Sequence, residues 1–229
     1  MVEMRTIAIG DIHGCYDELK DLIETLEKEG EYNKGIDKLV FTGDYIDRGE
    51  KSRQVIEFIR NLQKNNDNVI ALMGNHEDML LSYIDDGNSN WTWNGSGSTL
   101  DSYNGFTKQF HKDVQWIRTL PLYYEDEYTV FVHAGIDPYK PMDKQDRFDL
   151  LWIREDFIYN PKEYHKRVVF GHTPTMFLTE DTMPVRTYAN NMNIDTGCVY
   201  GGALTALIID DGKVNGFYQS RKNNEKVNN

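Results

Sequence analysis

The sequence predicts a single mixed α/β domain whose strands deliver polar loops to one edge of a sheet. Short apolar, β-branched runs recur at Thr6–Ile9, Lys38–Phe41, Val69–Leu72, Thr129–Val132 and Arg167–Phe170. Each run leads into a loop bearing histidine, aspartate or asparagine, and the first three alternate with stretches of helical periodicity. At 229 residues the chain can bury a sizeable core, and dividing it would divide loops that run from Asp11 to His172.

The elements follow in order. Leu19, Leu22, Ile23 and Leu26 recur at helical spacing among charges, with Gly30 as a stop. Val55, Ile56, Ile59 and Leu62 repeat the pattern before the polar Lys64–Asn68 stretch. A third helix is predicted from about Glu77 to Ile84. Such alternation implies right-handed βαβ crossovers, with ligands bound beyond the carboxyl ends of the strands. Asp85–Gly97, rich in Gly, Asn and Ser, reads as a loop or lid carrying Trp91 and Trp93; helical spacing resumes through Phe110 and Trp116. From Leu122 strands dominate: Tyr128–Val132, Val185–Tyr188, Met192–Ile194, Leu204–Ile209 and Val214–Tyr218, with Asp210-Asp211-Gly212 as a hairpin turn. The domain is expected over residues 1–219. Residues 220–229 contain one apolar side chain and are expected to form a disordered tail.

With 25 basic and 37 acidic residues the net charge is −12, and no lysine-arginine cluster interrupts it. General binding to nucleic-acid backbone is thereby disfavoured, whereas divalent cations are suited. A phosphorylated substrate must then be held by local positive charge. Met1–Arg5 lead straight into the first strand-like run, with no secretory core or membrane span. Two cysteines, Cys15 and Cys198, do not make a disulfide scaffold. A cytoplasmic, reduced protein without a membrane partner is expected. Both cysteines adjoin motif loops, either as small residues in tight turns or as neighbours of one another.

The loops themselves carry chemistry. They are Gly10-Asp11-Ile12-His13-Gly14, Gly43-Asp44-Tyr45-Ile46-Asp47-Arg48-Gly49, Gly74-Asn75-His76-Glu77, His133-Ala134-Gly135 and Gly171-His172-Thr173. Their oxygen and nitrogen donors, without a thiolate, suit Mn²⁺, Fe or catalytic Zn²⁺ rather than structural zinc. Asp11 and His13 can chelate one ion and Asn75, His133 and His172 a second, while Asp44 can offer one oxygen to each.

On these blocks the sequence resembles the phosphoprotein phosphatase (PPP) family of metallophosphoesterases over about residues 5–210. The resemblance implies a calcineurin-like β-sandwich flanked by helices, with a dimetal site at the sheet edge. It assigns Asp11, His13, Asp44, Asn75, His133 and His172 to two divalent ions, Mn²⁺ first, with Fe, Zn or Ni as alternatives. It also implies direct attack on phosphorus by a metal-bridging hydroxide, with no phosphoenzyme. His76 is implied as general acid and Asp47 as its carboxylate partner, and Arg48 would grip the phosphoryl oxygens beside Asn75. Physical chemistry agrees: an imidazole can give a proton near neutrality, and a guanidinium matches two phosphate oxygens as an ammonium does not. Arg154, in Trp152-Ile153-Arg154-Glu155, resembles a second phosphate-gripping arginine, with a surface ion pair as the alternative. Asp195 is expected to support the site or a turn rather than ligate, and Glu77 to be a helix N-terminal charge.

Small relatives divide into protein phosphatases and symmetrical diadenosine tetraphosphate hydrolases. Asp47 before Arg48, Glu77 closing its block, the Trp91–Gly97 stretch and the compact chain point first to a protein phosphatase, serine/threonine-directed with phosphotyrosine left open as a further substrate. Cys15-Tyr16-Asp17-Glu18-Leu19 and Asp195–Gly202 point to a symmetrical bis(5'-nucleosyl)-tetraphosphatase. The expected partner is a phosphorylated protein or a small phosphoester. Trp91 and Trp93 either anchor their loop or form an aromatic wall for a phosphotyrosine ring or an adenine. A catalytically silent phosphopeptide-binding module is the remaining class, and the filled catalytic positions argue against it.

Overall fold

The computed structural model describes residues 5–64 and 66–222. Three strand–helix units come first: β1 (Thr6–Ile9) with α1 (Tyr16–Lys28), β2 (Lys38–Phe41) with α2 (Ser52–Lys64), and β3 (Val69–Ala71) with α3 (Asn75–Asp86). A 3₁₀ turn over Ser89–Trp93 leads into α4 (Ser96–Tyr103) and α5 (Lys108–Ile117). The second half supplies β4 (Tyr123–Glu125), β5 (Thr129–Val132), α6 (Arg147–Trp152), α7 (Glu155–Ile158), β6 (Arg167–Phe170), α8 (Met176–Thr179), β7 (Val185–Arg186) and β8 (Met192–Asn193). The hairpin β9 (Leu204–Asp210) and β10 (Lys213–Ser220) closes the chain.

Two five-stranded sheets result, in the orders β10-β9-β1-β2-β3 and β4-β5-β6-β8-β7. β1, β2 and β3 are parallel, as βαβ units require, and β5 and β6 are parallel in the second sheet. The last hairpin adds an antiparallel edge beside β1, with Ala8 opposite Leu207. Its two-residue turn uses positive φ at Asp211 (46°) and Gly212 (71°), the backbone twist that a tight hairpin demands.

Strand periodicity divides the core into layers. Ala8, Val40 and Leu207 of the first sheet meet Phe131 and Val169 of the second, so the sheets pack face to face. The alternate residues Ile7, Ile9, Leu39 and Phe41 point outward into the cluster holding Leu19, Leu22, Val55 and Ile59 of α1 and α2. On the far side Val130, Val132, Val168 and Phe170 pack with Leu150, Phe157 and Ile158. A sandwich flanked by helices is therefore what the hydrophobic pattern builds.

Several elements differ from the sequence reading: the strand expected over Val185–Tyr188 ends at Arg186, and Tyr188–Asn190 forms a 3₁₀ turn. α3 begins at Asn75, two residues before Glu77, because the Glu77 carboxylate folds back to accept from the Gly74 backbone N–H (3.1 Å). That shift puts Asn75 and His76 on the first helical turn. The Asp85–Gly97 stretch is not an open loop: Trp91 is fully buried and packs on Tyr83 and Phe110, whereas Trp93 is 83% exposed. The chain also remains a strand through Ser220, whose hydroxyl donates to Asp21 (2.7 Å). Residue 220, expected to open a tail, is thus the last residue of a strand, and the remainder of that expectation over 223–229 lies outside the described residues.

The inter-sheet layer should dominate stability. Phe131→Ala should cost about 3–5 kcal/mol in urea unfolding, because a closed layer cannot collapse onto the space left behind. Phe148→Ala, at a position 68% exposed, should stay within about 0.5 kcal/mol. Equal losses at both sites would contradict this layering.

Candidate active site

Parallel pairing of β1 with β2 and β3, and of β5 with β6, brings the carboxyl ends of five strands to one edge of the sandwich. Asp11, His13, Asp44, Asn75, His133 and His172 all meet there, none more than 5% exposed. Two close backbone approaches make the crowding possible. Gly43 takes φ +108°, and a Cβ there would lie 2.6 Å from the Gly74 nitrogen. At Gly171 a Cβ would collide with Asp11 Oδ1.

Asp44 stands between two groups of donors. The His13 Nδ1–H donates to the Ile46 carbonyl (2.7 Å), which turns its Nε2 to within 3.2 Å of Asp44 Oδ2. The other carboxylate oxygen, Oδ1, lies 3.5 Å from His133 Nε2 and accepts from the His76 backbone N–H (3.0 Å). His133 donates from Nδ1 to the Thr42 carbonyl (3.0 Å), and its Nε2 is 2.8 Å from Asn75 Oδ1. Asn75 Oδ1 is in turn 3.0 Å from His172 Nδ1. Potential ligand atoms thus form two groups, His13–Asp44–His76 and Asp44–His133–His172, with Asp44 in both.

The electrostatics suit divalent cations. Burial, then the carboxylates of Asp195 and Asp44, push the Asp11 carboxyl well above its ordinary range. Burial lowers His133 to about 4, so at neutral pH its Nε2 carries a lone pair toward the Asn75 oxygen. Asp11 Oδ1 and His172 Nε2 are buried without a hydrogen-bond partner among the described residues. Lone pairs converging without protons between them, and buried acceptors left unmatched, are costly by themselves and are relieved by cations.

Within the first group His76 lies edge-on to His13, with ring centroids 4.6 Å apart. Its Nδ1 meets Asp47 Oδ2 at 2.7 Å. Asp47 is held from behind: the Trp91 indole N–H lies 3.0 Å from both carboxylate oxygens, and the Thr99 hydroxyl donates to Oδ1 (2.7 Å). The Asp47 backbone N–H returns to the Thr99 hydroxyl (2.8 Å). Left-handed backbone at Asp47 (φ 71°) and Arg48 (φ 69°) turns the first side chain inward and the second outward. Arg48 donates to His13 Nε2 (2.6 Å), and its guanidinium sits 5.5 Å from the Tyr200 ring centroid. Arg154 lies on the other flank, donating to the His172 carbonyl (3.1 Å) and the Thr173 hydroxyl (2.9 Å).

Several supports escaped the sequence reading. Glu77 is fully buried and accepts from four backbone N–H groups, of Asp44, Tyr45, Ile46 and Gly74 (2.9–3.3 Å). It clamps the Asp44 loop to the start of α3, a larger part than that of a helix N-terminal charge. Trp91 anchors its segment, one of the two expected roles, and in doing so reaches Asp47. Thr99 had no signal, being one hydroxyl in an unremarked helix. Tyr200 was likewise missed. Asp195 serves a turn, as expected: its Oδ1 accepts from the Gly197 N–H (3.1 Å).

The calcineurin-like phosphoesterase profile matches residues 4–202 of the chain. Over 224 residues the chain is 32% identical to the asymmetrical bis(5'-nucleosyl)-tetraphosphatase PrpE of Halalkalibacterium halodurans, covering 87% of each protein. It is 34% identical over 139 residues to the symmetrical bis(5'-nucleosyl)-tetraphosphatase of Actinobacillus succinogenes, a span of 59% of this chain and 46% of that protein. The crystal structure of a protein provisionally identified as a diadenosine tetraphosphatase superposes with a TM-score of 0.70 at 22% identity, over 96% of this chain and 95% of the other. The latter likeness is one of fold. With a family match running from the first strand through the last motif loop, the chain belongs to the calcineurin-like phosphoesterases, metal-dependent hydrolases of phosphoric esters.

Proposed function

We propose that the protein is a bis(5'-nucleosyl)-tetraphosphatase that cleaves its substrate asymmetrically, into a nucleoside triphosphate and a nucleoside monophosphate. The observation that carries this reading is near-full-length similarity, over 87% of each chain, to an asymmetrical enzyme of that kind. The symmetrical relative matches over only 59% of this chain. The features that pointed first to a protein phosphatase lose their weight on inspection. Asp47 faces His76, Glu77 holds a backbone loop and Trp91 is wholly buried, so all three serve any phosphoester. No helix among the described residues is long and apolar enough to cross a membrane.

In this reading Asp11, His13 and Asp44 would hold one divalent ion, and Asp44, Asn75, His133 and His172 would hold the other. Such a pair, when bound, polarises phosphoryl oxygens and makes water nucleophilic near neutral pH. Around it Arg48 and Arg154 grip the phosphate chain from opposite flanks, each offering a planar fork to paired oxygens. His76 keeps its Nδ1–H on Asp47, so the proton it supplies leaves from Nε2 toward the departing oxygen. Burial lowers the His76 imidazolium below its ordinary range, and the carboxylates of Asp44 and then Asp47 oppose that shift, while Trp91 and Thr99 fix the Asp47 carboxylate that orients the ring.

Substrate choice is tested by comparing kcat/KM on diadenosine tetraphosphate, a phosphoserine peptide and a phosphotyrosine peptide. The dinucleotide should be the best of the three, and its products should be ATP and AMP. Two ADP would instead indicate symmetrical cleavage, and preference for a phosphopeptide would overturn the reading.

Acid catalysis has its own signature. For His76→Asn, kcat should fall by about 10²–10⁴ on an alkyl phosphate, whose alkoxide cannot depart unprotonated. The loss should be smaller on p-nitrophenyl phosphate and on the dinucleotide, whose leaving groups are weaker bases. A uniform loss across these substrates would count against His76 as the acid.

A further inference from the structure

Beside the phosphoester site, and distinct from its oxygen and nitrogen donors, lies a second cluster of a different chemical character. Cys15 Sγ, a Glu18 carboxylate oxygen and Cys198 Sγ all lie within 4.8 Å of one another. Cys15 immediately precedes α1, Glu18 sits in the first turn of that helix, and Cys198 opens the 3₁₀ turn Cys198–Tyr200. Cys198 is 8% exposed and Glu18 9%. The Cys15 thiol makes one weak hydrogen bond, to the His13 carbonyl at 3.8 Å. The Glu18 carboxylate accepts no hydrogen bond or ion pair from any described residue. The cluster borders a cavity of about 550 Å³ whose other walls include Arg48, Lys51 and Gly201.

Two thiols and a carboxylate thus stand together with no cationic side chain paired to the carboxylate among the described residues. A disulfide between the cysteines would leave Glu18 as unmatched as before. A cation would satisfy all three groups at once. Two sulfurs and one oxygen are the donors that a d¹⁰ ion of borderline softness prefers over Mg²⁺ or Mn²⁺. In a tetrahedral site with Zn–S bonds near 2.3 Å, neighbouring ligand atoms stand roughly 3.4–3.8 Å apart, so the three side chains need close by only about 1 Å.

We propose that Cys15, Glu18 and Cys198 form a separate binding site for a thiophilic divalent cation of the zinc class, with its fourth position open to the adjoining cavity. Binding forms two metal–sulfur bonds and one metal–oxygen bond, and the two thiol protons pass to solvent. The bound ion cross-links two loops that are distant in sequence. Cys15 follows the Asp11–His13 loop, and Cys198 follows the Asp195 turn that packs against it. The site thereby ties the two walls of the phosphoester centre together from outside, and its donor set sorts metals differently from that centre.

Cobalt(II) is the probe, because thiolate ligation produces a charge-transfer absorption in the near ultraviolet that oxygen and nitrogen ligands do not. Reduced full-length protein titrated with Co²⁺ should develop that absorption and saturate at one thiolate-bound ion per chain, and Zn²⁺ should displace it. Cys15→Ser and Cys198→Ser should each abolish it. Glu18→Gln, which preserves both thiols and the shape of the side chain, should keep the absorption but weaken cobalt binding by about tenfold or more. Asp11→Asn, in the phosphoester centre, should leave the absorption intact. The proposal is overturned if the wild-type protein gives no thiolate absorption, or if the signal survives Cys198→Ser. A reduced protein that binds no cobalt through sulfur, yet forms a Cys15–Cys198 disulfide on mild oxidation, would overturn it in favour of a redox pair.

Discussion

The position of one carboxylate organises this molecule. Asp44 leaves the end of β2 in a left-handed conformation (φ 54°) and directs its two oxygens to different imidazoles, His13 on one side and His133 on the other. Neither approach would hold if the loop could relax. Glu77 prevents that by accepting from the N–H groups of Asp44, Tyr45 and Ile46, so the loop is braced by backbone bonds to a buried side chain. The bulk of the sandwich serves the same end. Parallel strands in both sheets terminate together, and the layer of Ala8, Val40, Phe131 and Val169 keeps the two halves of the donor set in register.

That arrangement concentrates buried negative charge. Asp11, Asp44 and Asp195 share one desolvated pocket, where burial lifts Asp195 to about 6 and raises Asp11 as well. A protein would not retain such a cluster for stability alone, since apolar side chains of similar volume cost less to bury. The cluster makes sense as an affinity for cations held in place by folding, and such cations would attract a phosphoester despite the overall charge of −12. Arg48 and Arg154, one on each flank, are the local exceptions to that acidity.

Much of this was legible in the sequence because strand ends and loop motifs are local signals. Thr6–Ile9 followed by Asp11 and His13, or Lys38–Phe41 followed by Asp44, announces both the strand and what it carries. What could not be read was the set of contacts between segments distant in the chain. Nothing near Trp91 or Thr99 says that they meet Asp47, 44 and 52 residues away. Glu77 reads as an ordinary helix-start acid because three of its four donors come from the distant Asp44–Ile46 loop folded over it. The sequence points first to protein phosphatases for a related reason: Asp47, Glu77 and Trp91 are buried supports, and such supports suit many phosphoesters. Composition likewise does not register that Ser220, the last residue of β10, finds Asp21 across the fold.

A shared ligand makes a demand that separate ligands do not. If Asp44 bridges two cations, its loss must disturb both, whereas loss of Asp11 must chiefly weaken one. The direct measurement is the metal content of purified Asp44→Asn and Asp11→Asn proteins after equilibrium dialysis against limiting divalent metal, by elemental analysis beside the wild type. The account predicts two ions for the wild type, weakened binding of both for Asp44→Asn, and one well-retained ion for Asp11→Asn. An Asp44→Asn protein that keeps two tightly bound ions would contradict it.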